Sequence, residues 1–90
     1  MIVGTQTNVR GSSSQRRAYT VRVQTGMVIQ RLDRPRAGKK SREEFRADPT
    51  GYVETFLATR PKRLRYPSAV PEMVAKIEKW LDENYAADVV

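Results

Sequence analysis

The chain has 90 residues, no cysteine, no histidine and a formal net charge of +7. That length makes one small domain, and the missing Cys and His exclude a disulfide framework, thiolate chemistry, a His-based triad and an imidazole metal site. The charge is uneven: residues 1–65 hold 15 basic and 5 acidic side chains, whereas residues 66–90 hold 2 and 5. A cationic surplus gathered in one part of a short chain is the footprint of a protein that meets a polyanion.

Hydrophobic residues make up 39% of the chain, below the ~45–50% of ordinary globular domains, which fits a folded body carrying a polar tail. Residues 1–17 have no sustained period and contain Gly11-Ser12-Ser13-Ser14. They read as a flexible arm ending in the basic pair Arg16-Arg17, with Ile2-Val3 able to add a short edge strand. A single domain is expected over residues 18–85, and a frayed tail over 86–90.

Within that domain, Tyr19, Val21 and Val23 alternate with Thr20, Arg22 and Gln24, the pattern of a half-buried strand. Thr25-Gly26 interrupts it, and Met27-Val28-Ile29 with Leu32 resumes it. This predicts a β-hairpin, or one longer strand with a bulge at Gly26. Residues 34–42 (RPRAGKKSR) follow as a basic loop, because Pro35 and Gly38 disfavour regular structure and the Lys and Arg side chains repel one another. Ser41-Arg42-Glu43-Glu44 matches a capping box in outline, but the helix it would start meets Pro49 too soon.

Asp48-Pro49-Thr50-Gly51 has the chemistry of a tight turn: an Asp that bonds the turn backbone, a Pro that presets φ and a permissive Gly. It predicts a second hairpin pairing 43–47 with 52–59. A helix from Pro49 with Tyr52, Val53, Phe56 and Leu57 on one face competes with it; Gly51, Thr55 and Thr59 favour the strand. Residues 60–67 (RPKRLRYP) read as an extended basic linker bracketed by prolines. Ser68 offers an N-cap, Pro71 and Glu72 suit a first turn, and Val70, Met73, Val74, Ile77 and Leu81 recur at helical spacing. A helix is expected from about Ala69 to Asn84.

The expected fold is therefore α+β: a small antiparallel sheet of about four strands, as two hairpins, packed by one C-terminal amphipathic helix. This element order is similar in outline to the dimeric single-stranded-DNA-binding transcriptional coactivators, with Pro71-Glu72 leading the helix in a comparable way. The likeness is one of element order and rests on no shared motif.

No enzyme is expected. Glu43 and Glu44 would face opposite sides of a strand, Ser12–Ser14 have no neighbouring base, and neither a phosphate loop nor an acidic metal cluster appears. No cofactor or metal is called for. No apolar run approaches the ~18 residues of a membrane span, so a cytoplasmic or nucleoid-associated protein is expected.

The cations carry the functional reading. Arg34-Pro35-Arg36-Ala37-Gly38-Lys39-Lys40 resembles an AT-hook over seven residues and departs from it at Ala37, where the hook has Gly. The resemblance implies minor-groove contact, and the departure leaves general phosphate contact as the simpler expectation. Arg60, Lys62, Arg63 and Arg65 interleave with Tyr66, which could stack on an unpaired base. Arg22 and Arg31 fall on the polar face of the first hairpin, and Tyr19, Tyr52 and Phe56 on a sheet face that could stack bases. The leading expectation is a small non-enzymatic protein binding DNA or RNA through Arg22, Arg31, Arg34, Arg36, Lys39, Lys40, Arg60, Lys62, Arg63, Arg65 and Tyr66. The alternative is a protein-binding module, such as a phage-type inhibitor or an assembly subunit, docked on an acidic protein surface. A homodimer through the C-terminal helix is a further possibility.

Overall fold

Buried positions in the first part of the chain fall at Val21, Gln24, Thr25, Val28 and Leu32, the spacing of a helix face and not of a strand. In the computed structural model, residues 12–89 are described, and they contain helices and turns with no β-strand. The fold is a small all-α one, which overturns the α+β expectation and both hairpins, and with them the likeness to the coactivators.

Helix α1 spans Ser12–Leu32, so the last part of the arm expected over 1–17 belongs to a helix; residues 1–11 lie outside the described residues. The alternation that suggested a strand was a surface coincidence. Tyr19 is 61% and Val23 41% exposed, whereas polar Gln24 and Thr25 are buried. Thr25 satisfies its hydroxyl on the Val21 carbonyl one turn back (2.7 Å), and the Gln24 amide donates to the Leu64 carbonyl (3.1 Å). Thr25 is thereby satisfied in the core, whereas Gln24 pairs its amide N–H and keeps its Oε1 buried without a partner.

Helix α2, Lys39–Ala47, occupies the end of the expected basic loop and the whole of the expected strand 43–47. It buries Arg42 and Phe45, three residues apart on one face. Its first residue is Lys39 behind Gly38, so Ser41 is not its cap. Nine residues suffice because Pro49 does not interrupt α2; it opens the next helix.

That helix, α3, spans Pro49–Ala58 and buries Val53, Phe56 and Leu57. The Asp48-Pro49-Thr50-Gly51 signal is an N-terminal cap: the Asp48 carboxylate accepts from the Gly51 N–H at 3.0 Å, and Pro49 lacks an N–H where none is needed. The competing helical reading of 49–59 is the one observed. Residues 60–67, expected to be extended, carry a 3-10 turn at Lys62–Leu64 and lead into a second at Pro67–Ala69.

Helix α4 spans Val70–Asn84 and buries Val70, Met73, Ile77 and Leu81, as its spacing predicts. Ser68 does not cap it; the Ser68 hydroxyl accepts from Arg17 instead (3.3 Å). The stripe expected to be core, or else a dimer face, is packed inside a single chain against α1 and α3. Arg17 meets Glu72 at one end and Asp33 meets Tyr85 at the other, so α1 and α4 lie side by side and run in the same direction. The pair α2–α3 closes the core, in which Phe45, Val53, Phe56, Ile77 and Leu81 are all at most 2% exposed. Each of these aromatic and aliphatic side chains contributes about 1.5–3 kcal/mol by leaving water.

The reassignment of Asp48 from turn to cap is testable by urea unfolding. Asp48→Ala should lose about 1 kcal/mol, and Asp48→Asn, which still accepts from the Gly51 N–H, should lose much less. Equal losses would show that the carboxylate does not cap α3.

Candidate nucleic-acid interface

The cations divide into two kinds, those that hold the chain together and those that face solvent. Arg42 is the extreme of the first kind, at 1% exposure. Its Nη1 donates to the carbonyls of Leu32 (2.9 Å) and Arg34 (2.7 Å), its Nη2 to that of Pro35 (3.0 Å), and its Nε to the Asp88 carboxylate. The Tyr85 ring lies over its guanidinium, centred 3.8 Å from the central carbon. Four of the five N–H donors of an arginine are thus engaged, and the cation is stacked besides.

The same cluster fixes the C-terminal residues. Arg46 donates to Asp88 (3.1 Å) and to the Tyr85 carbonyl (3.0 Å), and the Tyr85 hydroxyl donates to Asp33 (2.8 Å). Ala86–Val89, expected to fray, is a 3-10 turn that delivers Asp88 to the two arginines. Hydrogen bonds from Arg42 and Arg46 hold the Asp88 carboxyl below its ordinary pKa against some desolvation. The hydrogen bond to Asp33, with desolvation behind it, holds the Tyr85 phenol above its own. Gly38 belongs to this cluster as well: a Cβ there would come within 2.6 Å of the Arg34 carbonyl and 2.7 Å of the Leu32 carbonyl.

Arg42 therefore shapes the loop between α1 and α2 from inside. Three carbonyls of residues 32–35 point inward to its guanidinium, and the side chains of Arg34, Arg36, Lys39 and Lys40 are exposed. Arg31, one turn before, is exposed with its guanidinium 4.9 Å from the centre of the Phe56 ring. Among the described residues, no carboxylate lies within ion-pair distance of these five cations. They fall within ten residues of sequence around the α1–α2 loop, where the one acidic residue is Asp33, which accepts from the Tyr85 hydroxyl.

The second basic segment is put to other uses. Arg65 donates to the carbonyls of Arg60 (2.8 Å) and Ala58 (3.1 Å), closing the C-terminus of α3. Arg60 is half-buried and Tyr66 packs against the core with Arg17 near its ring (5.9 Å). Lys62 and Arg63 remain exposed. Leu64 sits beside Gln24 and Ser68 beside Arg17, so this segment crosses α1 at least about 12 Å from its C-terminal end, at 1.5 Å per residue. The two basic segments do not converge.

Of the aromatic residues expected to stack, Phe56 is buried, and Tyr52 and Tyr66 are partly buried against the core, as is Trp80 of α4. There is no sheet face for them to line. Tyr19 is the exposed one, with Arg22 5.8 Å from its ring centre. Among the described residues no three acidic side chains converge as metal ligands would, and no helix is long and apolar enough to cross a membrane.

Removing Arg42 takes the donor of the Pro35 carbonyl, one of two donors of each of the Leu32 and Arg34 carbonyls, and one arginine from half-buried Asp88. Arg42→Ala should therefore lose about 3 kcal/mol or more, and Arg42→Lys, without the planar fork, most of that. Thermal unfolding reads both. The titrations give opposite pH edges. A depressed Asp88 contributes stability that is complete above the ordinary carboxylate range, about pH 4, and is lost as pH falls through it. A raised Tyr85 contributes stability that is complete below about pH 10 and is lost as the phenol ionises. Asp88→Asn and Tyr85→Phe should each flatten their own edge and leave the other. Comparison with protein-family models, curated proteins and solved structures found no match for this chain, so the reading of this surface rests on its own geometry.

Proposed function

We propose that this chain is a non-enzymatic nucleic-acid-binding protein that holds phosphates through Arg31, Arg34, Arg36, Lys39 and Lys40, with Lys62 and Arg63 as an outlying pair. One observation carries the reading: five exposed cations without carboxylate partners among the described residues stand on the α1–α2 loop (Arg34, Arg36) or on the helix ends that flank it (Arg31, Lys39, Lys40), and the loop backbone is fixed by the buried Arg42. A pre-shaped loop loses less conformational freedom on binding than a flexible one, so more of the Coulombic attraction survives as affinity. Arg65 and Tyr66 drop out of the contact set because they close α3 and pack against the core, and Arg60 because its side chain is half-buried with its Nε out of reach of solvent. Base stacking through Tyr66 goes with them, leaving phosphate contact as the main term.

Fluorescence anisotropy against short DNA and RNA at several salt concentrations tests this. Five phosphate contacts predict an affinity that falls roughly 500-fold between 50 and 200 mM salt, by counterion release. Replacing Arg34, Arg36, Lys39 and Lys40 together with Ala should flatten the log–log slope by about 3–4 and leave the helical signal intact. A salt-insensitive complex would refute it. No binding by the folded chain would also refute it, and would assign the exposed cations to an acidic protein surface.

A further inference from the structure

Helix α1 contains four arginines and no acidic residue along its 21 residues. Its core side is the stripe Val21, Thr25, Val28 and Leu32. At 100° per residue the outward side is occupied by Gln15, Tyr19, Arg22, Val23, Gly26 and Gln30, centred roughly 140° away. All six are exposed. Tyr19 and Val23, two of the three large exposed apolar side chains among the described residues, stand one turn apart there.

Gly26 lies in the middle of this face, and a Cβ placed on it would meet nothing within 4 Å. A glycine inside a helix weakens it relative to alanine, and nothing within the chain approaches closely enough to require one. An outside body that must come near the helix backbone does require one. The face thus carries no acidic residue of α1, has Arg22 at one edge and Arg16 beside the other, and leaves a gap for close approach at Gly26.

We propose that the outward face of α1 enters the major groove of duplex DNA and reads base edges there. The inference rests on the nucleic-acid reading of the cations around the α1–α2 loop and adds the partner's form. A helix of about 10–12 Å diameter fits a groove about 12 Å wide. Arginine at 22 suits the paired acceptors of guanine, glutamine at 15 or 30 the donor and acceptor of adenine, and the apolar Tyr19 and Val23 the thymine methyl. The cations from Arg31 to Lys40 continue directly from the C-terminal end of α1, where they hold phosphates beside the groove and fix its register. Duplex RNA is disfavoured, because its major groove is too narrow for a helix. A second copy of this chain is a poorer occupant: each brings the same arginines to the contact, and they repel.

The test begins with selection from a library of randomised short DNA duplexes by the full chain. The enriched duplex is then compared with a scrambled duplex and with an RNA duplex of the same sequence. The enriched DNA should bind about tenfold or more tightly than either, the size of one good base contact. Arg22→Ala, Gln30→Ala and Gly26→Leu should each remove that preference and keep the salt slope of the parent; circular dichroism checks that these exposed positions leave the fold intact. Equal binding of DNA and RNA duplexes overturns the inference, as does an unchanged preference in all three variants. So does sedimentation showing a dimer that Tyr19→Ser and Val23→Ser dissociate, since the face would then be a contact between copies. If the parent binds every duplex alike with a steep salt slope, only the groove reading fails. If it binds none, the phosphate-binding proposal fails with it.

Discussion

A guanidinium taken out of water and surrounded by backbone carbonyls is the constraint from which most of this structure follows. Arg42 is reached from three directions: the end of α1 through Leu32, the connecting loop through Arg34 and Pro35, and the C-terminal turn through Asp88. The Leu32 and Arg34 carbonyls accept a second hydrogen bond there, beside those from the backbone N–H groups of Arg34 and Gly38, and the Pro35 carbonyl finds its donor in the same side chain. A buried arginine is tolerable only when its donors are matched and its charge is met, and here Asp88 and the Tyr85 ring meet the charge. Gly38 follows from the same requirement, because the carbonyls that turn toward Arg42 leave no room for a Cβ.

The legibility of the sequence tracks how each residue resolves its polarity. α4 can be read directly, since Val70, Met73, Ile77 and Leu81 are apolar, buried and at helical spacing. α1 cannot, because two of its buried positions are polar Gln24 and Thr25 while Tyr19 and Val23 stand outside; the apparent period of two arises from that exchange. Asp48-Pro49-Thr50-Gly51 is ambiguous for a chemical reason: an Asp that accepts from a backbone N–H three residues on serves a turn and a helix cap alike. Only the helical spacing of Val53, Phe56 and Leu57 separates the two.

Arg42 was the least legible. In a run of basic residues it reads as one more solvated charge, and its partner Asp88 lies 46 residues away. Its one local signal is helical phase, three residues before buried Phe45. The candidate cations were legible as composition, but what surrounds each of them was not. Arg34, Arg36, Lys39 and Lys40 are exposed, while Arg65 closes α3 and Tyr66 packs against the core. The basic surplus of this chain therefore combines a structural portion at Arg42, Arg46 and Arg65 with an exposed one at the α1–α2 loop, and the first shapes the backbone that presents the second.

The most direct test of that account is nuclear magnetic resonance of the arginine side-chain N–H protons. Arg42 should give a resolved Nε–H signal that exchanges slowly with water, is shifted by the Tyr85 ring and collapses in Asp88→Ala. A rapidly exchanging Arg42, indistinguishable from the solvent-facing Arg34 and Arg36, would contradict the claim that a buried guanidinium organises the loop, the second helix and the C-terminal turn.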